Sequence, residues 1–161
     1  MSLYLDSAYV AKCYINEADA ESVRALVADK TGLCSSALCL AEMACIFQRH
    51  LREQALTRRQ MRILCKLFQD DVDAGVWNLV PVGSDLLAKV QERVGRLAGN
   101  VYVRAGEAIH LVTAKVTGFS EIWTNDRHML LAAPRFGLIG RSVSGAASQP
   151  RRDSAKSAYG R

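Results

Sequence analysis

An α/β fold, with a short parallel β-sheet flanked by helices, is predicted by three features of the chain. Short runs rich in leucine, β-branched and aromatic residues alternate with longer helical segments, the pattern of strands joined by helical crossovers. Two aspartates, Asp6 and Asp126, each stand directly after such a run and directly before a helix. Two further segments are helical and apolar on most faces, each with a single carboxylate, Glu42 and Glu107. Ligands of a parallel sheet bind at the carboxyl ends of its strands, so Asp6 and Asp126 fall on that edge. The two apolar helices must pack on the sheet, which lets Glu42 and Glu107 point to the same edge.

In chain order, Leu3-Tyr4-Leu5 predicts a buried strand that ends at Asp6, and Ser7 to Tyr14 a helix. Asp6 suits an N-cap and a catalytic carboxylate equally, since Asp accepts well from the free N–H groups of a first turn. Ala18 to Lys30 has the spacing of an amphipathic helix, with Val23, Leu26 and Val27 on one side. Gly32 to Ser35 reads as a second strand and Ser36 to Phe47 as an apolar helix. Glu42 is the one charge between Thr31 and Gln48, and a surface helix of that length would carry several, so it is expected to face a cleft.

At Arg49 the composition turns basic: Arg49, His50, Arg52, Arg58, Arg59, Arg62 and Lys66 face only Glu53 before Asp70 and Asp71. Thr57 to Gln60 has the form of a capping box and Gly75 suits the end of that helix. A solvated helix face is the ordinary reading of such a run, with a phosphate-binding rim as the functional alternative. Trp77 to Val82 reads as a third strand, Ser84 as the cap of a helix from Asp85 to about Ala98, and Gly99-Asn100 as a break. A helix from Ala105 to Ala114 follows, with Glu107 its only formal charge. Glu121 to Asn125 is a strand leading to Asp126, Met129 to Ala133 a short helix stopped by Pro134, and Gly137 to Gly140 a last edge strand.

The chain of 161 residues is enough for one domain with a sizeable core. No apolar run approaches the ~20 residues of a membrane span, and the first residues lack a charged n-region, so a soluble, intracellular protein is expected. The five cysteines form no Cys-x-x-Cys pair and no zinc spacing; buried free thiols are expected. Of the net charge of +5, all but about +1 comes from Arg141 onward, where five basic residues face Asp153. The overall basicity therefore carries no argument for nucleic acid; only local clusters do. The domain is expected to span residues 1–140, with 141–161 a basic, low-complexity tail that cannot bury a core. His50, His110 and His128 are isolated in sequence and are given no catalytic role.

Four converging carboxylates repel one another unless a cation joins them. Oxygen-only ligation favours Mg²⁺ or Mn²⁺, and the matching chemistry is metal-assisted hydrolysis of a phosphate ester. The motifs Leu3-Tyr4-Leu5-Asp6-Ser7, Ser35-Ser36 with Ala41-Glu42, Ala105-Gly106-Glu107-Ala108-Ile109-His110-Leu111 and Thr124-Asn125-Asp126-Arg127, in this order and spacing, resemble a PIN domain. More narrowly they resemble the VapC-type toxin ribonucleases of type II toxin–antitoxin pairs.

That resemblance covers roughly residues 1–140. It implies a three-layer fold and a bacterial, cytoplasmic, Mg²⁺- or Mn²⁺-dependent endoribonuclease. Asp6, Glu42, Glu107 and Asp126 then fall on the family's acidic positions, and Ser7, Thr124 and Asn125 on supporting ones. It also implies a homodimer and a cognate antitoxin that blocks the site. Arg49, Arg52, Arg104 and Arg127 are the candidate RNA contacts. One departure stands out: the third acid is more commonly Asp, and Glu107 adds a methylene, which moves the carboxylate by ~1 Å, a scale on which misplacement costs ~10²-fold.

Two other readings compete. A phosphatase with Asp6 as nucleophile would want a second Asp two residues on, and Ala8 stands there. A catalytically weak or inactive PIN-like interaction module would keep the acids as caps and buried pairs. Asp6 and Asp126 suit that role, but Glu42 and Glu107 fit it poorly, since neither is expected to have a neighbouring base in sequence to pair with.

Overall fold

The computed structural model describes residues 2–143. Strand β1 (Ser2–Tyr4) is followed by helices α1 (Ser7–Lys12) and α2 (Ala20–Val27), then β2 (Gly32–Ser36), α3 (Cys39–Arg52), α4 (Arg58–Asp73) and β3 (Trp77–Val80). The second half runs α5 (Ser84–Gly95), α6 (Ala105–Val116), β4 (Glu121–Trp123), α7 (Arg127–Ala132), a 3₁₀ turn (Ala133–Phe136) and β5 (Ile139–Arg141).

All strand pairs are parallel: β1 with β2, β2 with β3, and β4 with β5. A parallel bridge between Leu5 and Trp123, and a hydrogen bond from Asp6 N–H to Trp123 O at 3.1 Å, join the two sets. The spatial order is therefore β3-β2-β1-β4-β5. The chain first builds outward from β1 to β3, then returns to the other side of β1. A crevice opens where the strand order reverses, between β1 and β4. This is the expected α/β fold, a short parallel sheet flanked by helices.

Side-chain alternation along the strands divides the core into two layers. Leu3, Leu5 and Leu33 point to one face and pack with Tyr9, Val10, Met43 and Phe47; Tyr4 and Cys34 point to the other and pack with Leu111, Ile122 and Phe136. Helices α1 to α4 supply the first layer and α5 to α7 the second. Each fully buried large side chain contributes ~1.5–3 kcal/mol relative to exposure.

The capping box at Thr57 forms, and Gly75, at φ 74°, terminates α4 in the left-handed conformation that favours glycine. Several boundaries differ from expectation. Helix α3 runs through Arg52 because the basic run at Arg49 marks a change of exposure: Phe47 and His50 continue its buried side, and its last-turn cations complement the helix dipole. Its apolar composition also extends to its exposed side, where Leu40 is 45% exposed. Gly83, not Ser84, occupies the cap of α5. Pro134 does not end the helical path but redirects it into the 3₁₀ turn.

The cysteines are free thiols, but only Cys34 and Cys39 are buried; Cys45 is exposed. Regular structure passes the expected boundary at 140: Arg141 lies in β5, and Val143 N–H donates to Tyr9 OH at 2.9 Å. Residues 144–161, most of the expected tail, lie outside the described residues. Among the described residues no helix is long and apolar enough to cross a membrane.

Ile122, 0% exposed at the centre of β4, joins the sheet to the second layer. Ile122→Ala is expected to cost ~2–5 kcal/mol, read as a lowered urea midpoint with unchanged slope.

Candidate active site

Four backbone segments bring the predicted acids to the β1/β4 crevice. Asp6 ends β1 and caps α1, accepting from Tyr9 N–H at 2.8 Å. Asp126 follows β4 and caps α7, accepting on Oδ1 from the N–H groups of His128 (2.7 Å) and Met129 (2.9 Å). Glu42 lies in the first turn of α3 and Glu107 in the first turn of α6. All four line one open cavity of about 400 Å³, together with Ser7, Glu17, Cys45, Arg49, Arg104 and His110.

The acids sit in different environments. Asp6 is 4% exposed, and burial raises its pKa even though Thr124 Oγ1 donates to Oδ2 at 2.5 Å and Tyr9 N–H donates to Oδ1. Thr124 also accepts from Asp126 N–H at 2.9 Å, so one hydroxyl fixes both aspartates.

Glu42 meets an opposing pull: burial acts to raise its pKa, but hydrogen bonding to and charge on His110, with the Ser7 hydroxyl, bring it below the ordinary value. Ser7 Oγ donates to Glu42 Oε2 at 2.5 Å, and His110 Nε2 lies 2.8 Å from the same oxygen. An ionised carboxylate only accepts, so Nε2 carries the proton. Nδ1 is then the partner of Tyr4 OH at 3.1 Å, a hydroxyl that burial keeps protonated.

Glu107 is 8% exposed and reaches back to its own helix start, accepting from Arg104 N–H at 2.9 Å on Oε2, with the Arg104 guanidinium 3.6 Å from Oε1. Both glutamates thus have basic partners, contrary to the sequence reading. Arg104 stands three residues before Glu107, within reach on a helical turn, whereas His110 is distant from Glu42 in sequence and meets it only through the fold.

Of the candidate RNA contacts, Arg49 and Arg104 line the cavity, while Arg52 and Arg127 are exposed outside its lining. Asn125 also stands outside the lining: its Oδ1 accepts from Tyr9 OH at 2.7 Å and from Ser142 at 2.5 Å, which ties the chain after β5 to α1. His110 was not foreseen as a site residue. It shares a helix face with Glu107, three residues earlier, and that spacing was the available signal. His50 and His128 stay outside the cavity lining, the first against Glu17 at 2.6 Å and the second against the Tyr102 ring.

Among the described residues, no three His, Cys, Asp or Glu side chains are drawn together as a ready metal cage. The donor set nevertheless fits a hard divalent cation in kind. It is carboxylate oxygen contributed by four separate segments, and the hydrogen bonds to Glu42 and Asp126 each fall on one oxygen, Oε2 and Oδ1.

The structure is similar to a chain of VapBC2 from Rickettsia felis, crystallised bound to a DNA fragment from their promoter: TM-score 0.62, 12% identity, 88% of this chain and 98% of that chain covered. The likeness is one of fold. It identifies the architecture as PIN-like. No protein-family model matches the sequence, and no curated protein matches it either.

The raised pKa of Asp6 has a consequence for stability. A carboxyl whose folded pKa exceeds its unfolded one contributes stability that is full below the unfolded value, here the ordinary 3.8, and is lost as pH rises through the elevated folded value. In chelator-treated protein, Asp6→Asn is therefore expected to be more stable than wild type at neutral pH, with the gap closing toward pH 4. Urea unfolding across that range, with EDTA present, checks it. Wild type equal to or above the variant at pH 7 contradicts the assignment.

Proposed function

We propose that this chain is a Mg²⁺- or Mn²⁺-dependent endoribonuclease, the toxin of a bacterial toxin–antitoxin pair. The observation that carries the reading is the gathering of Asp6, Glu42, Glu107 and Asp126 around one open cavity at the strand-order reversal of a PIN-like fold. Four carboxylates from four separate elements are costly to assemble unless a cation is to join them. In this reading Asp6, Glu42, Glu107 and Asp126 hold one or two ions. When bound, the metal supplies Lewis acidity to the scissile phosphodiester and to the attacking water.

The chain's own groups do the rest. Thr124 and Tyr9 N–H hold Asp6 at the end of β1, and Ser7 and His110 hold Glu42 opposite. Arg49 and Arg104, at the cavity edge, attract the RNA backbone and orient it by its phosphates. Water adds to phosphorus, the bond to the 3′ oxygen breaks, and that oxygen takes up a proton, leaving a 5′-phosphate and a 3′-hydroxyl. Partnership with a cognate antitoxin is supported by the fold shared with a chain of VapBC2, a complex crystallised with promoter DNA. Homodimer formation belongs to the same proposal.

A second reading, an inactive interaction module, draws on the internal partner that each acid already has. Metal separates the two. On the nuclease reading, purified protein cleaves structured RNA with Mn²⁺ and not with EDTA, and Asp6→Asn and Glu107→Gln each lose ~10²-fold or more. Glu107→Gln keeps an acceptor for Arg104 N–H, so it removes charge and leaves the cap. Saturating Mn²⁺ is expected to stabilise wild type by ~2.7 kcal/mol at a hundredfold excess over Kd. Wild type that neither cleaves nor gains stability, while the variants fold equally well, leaves the module. On the same reading Arg49→Ala weakens RNA binding across sequences and lowers the salt slope by about 1; an unchanged slope removes Arg49 from the interface.

A further inference from the structure

We infer that α6 works as a clamp on Glu42 and that His110 and Gly106 are its positioning residues. The inference rests on the nuclease reading above and says which of the chain's groups set the direction of one metal-binding carboxylate.

His110 is 2% exposed, and both of its ring nitrogens have partners inside the protein. Nε2 lies 2.8 Å from Glu42 Oε2 and 3.2 Å from Ser7 Oγ, and Nδ1 lies 3.1 Å from the hydroxyl of Tyr4, itself 0% exposed. The ring is fixed at both ends, by β1 through Tyr4 and by α3 through Glu42. Such ordering is more than packing demands, since an apolar residue of similar size would fill the second core layer without burying two polar atoms.

Four residues earlier on the same helix face stands Gly106, with Glu42 Oε1 3.0 Å from where a Cβ would lie. An added methyl there would press on the oxygen that accepts no bond from His110 or Ser7. Helix α6 therefore meets the carboxylate twice: His110 draws Oε2 inward, and the bare backbone at Gly106 leaves room for Oε1. With Oε2 occupied by two donors, Oε1 is the atom left for an ion. A ligand carboxylate oriented by an outer partner binds metal more tightly than a free one, by 10–100-fold in comparable sites.

The test uses the full chain and Mn²⁺ alone, with binding measured by calorimetry and the metal-free melting temperature measured in parallel. His110→Ala is expected to weaken Mn²⁺ binding by roughly 10–100-fold. His110→Gln, whose amide reaches the place of Nε2, is expected to restore most of it. A purely structural histidine would lower the melting temperature in both variants without rescue of affinity by Gln.

Gly106→Ala provides an independent arm should His110→Ala fail to fold. It removes no hydrogen-bonding group and adds a better helix former, so the metal-free protein is expected to fold while Mn²⁺ affinity falls severalfold. Wild type that binds Mn²⁺, with Gly106→Ala or His110→Ala binding equally well, overturns the clamp and leaves the nuclease reading standing. Wild type that binds no Mn²⁺ overturns both.

Discussion

The structure depends on the burial of Asp6. A carboxylate at 4% exposure must be neutralised, hydrogen-bonded or joined to a cation, and each choice constrains the groups around it. Its two oxygens take Tyr9 N–H and Thr124 Oγ1, which fixes the start of α1 and the end of β4 relative to β1. Thr124 in turn accepts from Asp126 N–H, so the second aspartate is placed by the same hydroxyl that supports the first. With burial raising the pKa of Asp6, these bonds offset the cost of ionisation only in part. On the proposed reading, the residual cost is what a bound cation would remove.

The reversal of strand order makes this arrangement possible. Because β2 and β4 lie on opposite sides of β1, the segments that leave β1 and β4 diverge at the carboxyl edge, where the four acids line an open cavity. Helix α3 enters from one layer with Glu42 and α6 from the other with Glu107. Each is anchored by a buried apolar side, Cys39, Met43 and Phe47 in the first case, Leu111 and Val112 in the second. The carboxylates are thus held by the rigid parts of the fold.

Much of this was legible in the sequence, for a physical reason. A single charge in an apolar helix or after a buried strand is expensive, so Asp6, Glu42 and Glu107 stood out against their surroundings, and Asp126 stood out through its strand-to-helix junction. The partners were harder to see. Arg104 was within reach of local reasoning, three residues from Glu107, but His110 meets Glu42 across two helices joined only by the folded sheet. A lone histidine in an apolar helix reads as structural, and the one local sign that His110 faces the cavity is its spacing from Glu107, three residues earlier. The extent of α3 was misjudged for a related reason: composition reports which residues meet water, and the basic run at Arg49 changes exposure without ending the helix.

The position of Glu107 is explained by its length. A glutamate at the third position of a helix can turn back to the N–H that precedes the helix, the geometry of a capping box, and Glu107 does so onto Arg104 at 2.9 Å. Aspartate is shorter by a methylene and is not the residue that this turn favours. The extra methylene that sets this carboxylate apart from an aspartate is what closes the first turn of α6, a helix otherwise started by an arginine that gives no side-chain cap. Glu107 therefore serves two demands: its carboxylate keeps the cap while lining the cavity, and the helix it secures is the one that carries His110 and Gly106 to Glu42. Losing the cap would loosen the start of α6, and with it the contacts that hold Glu42.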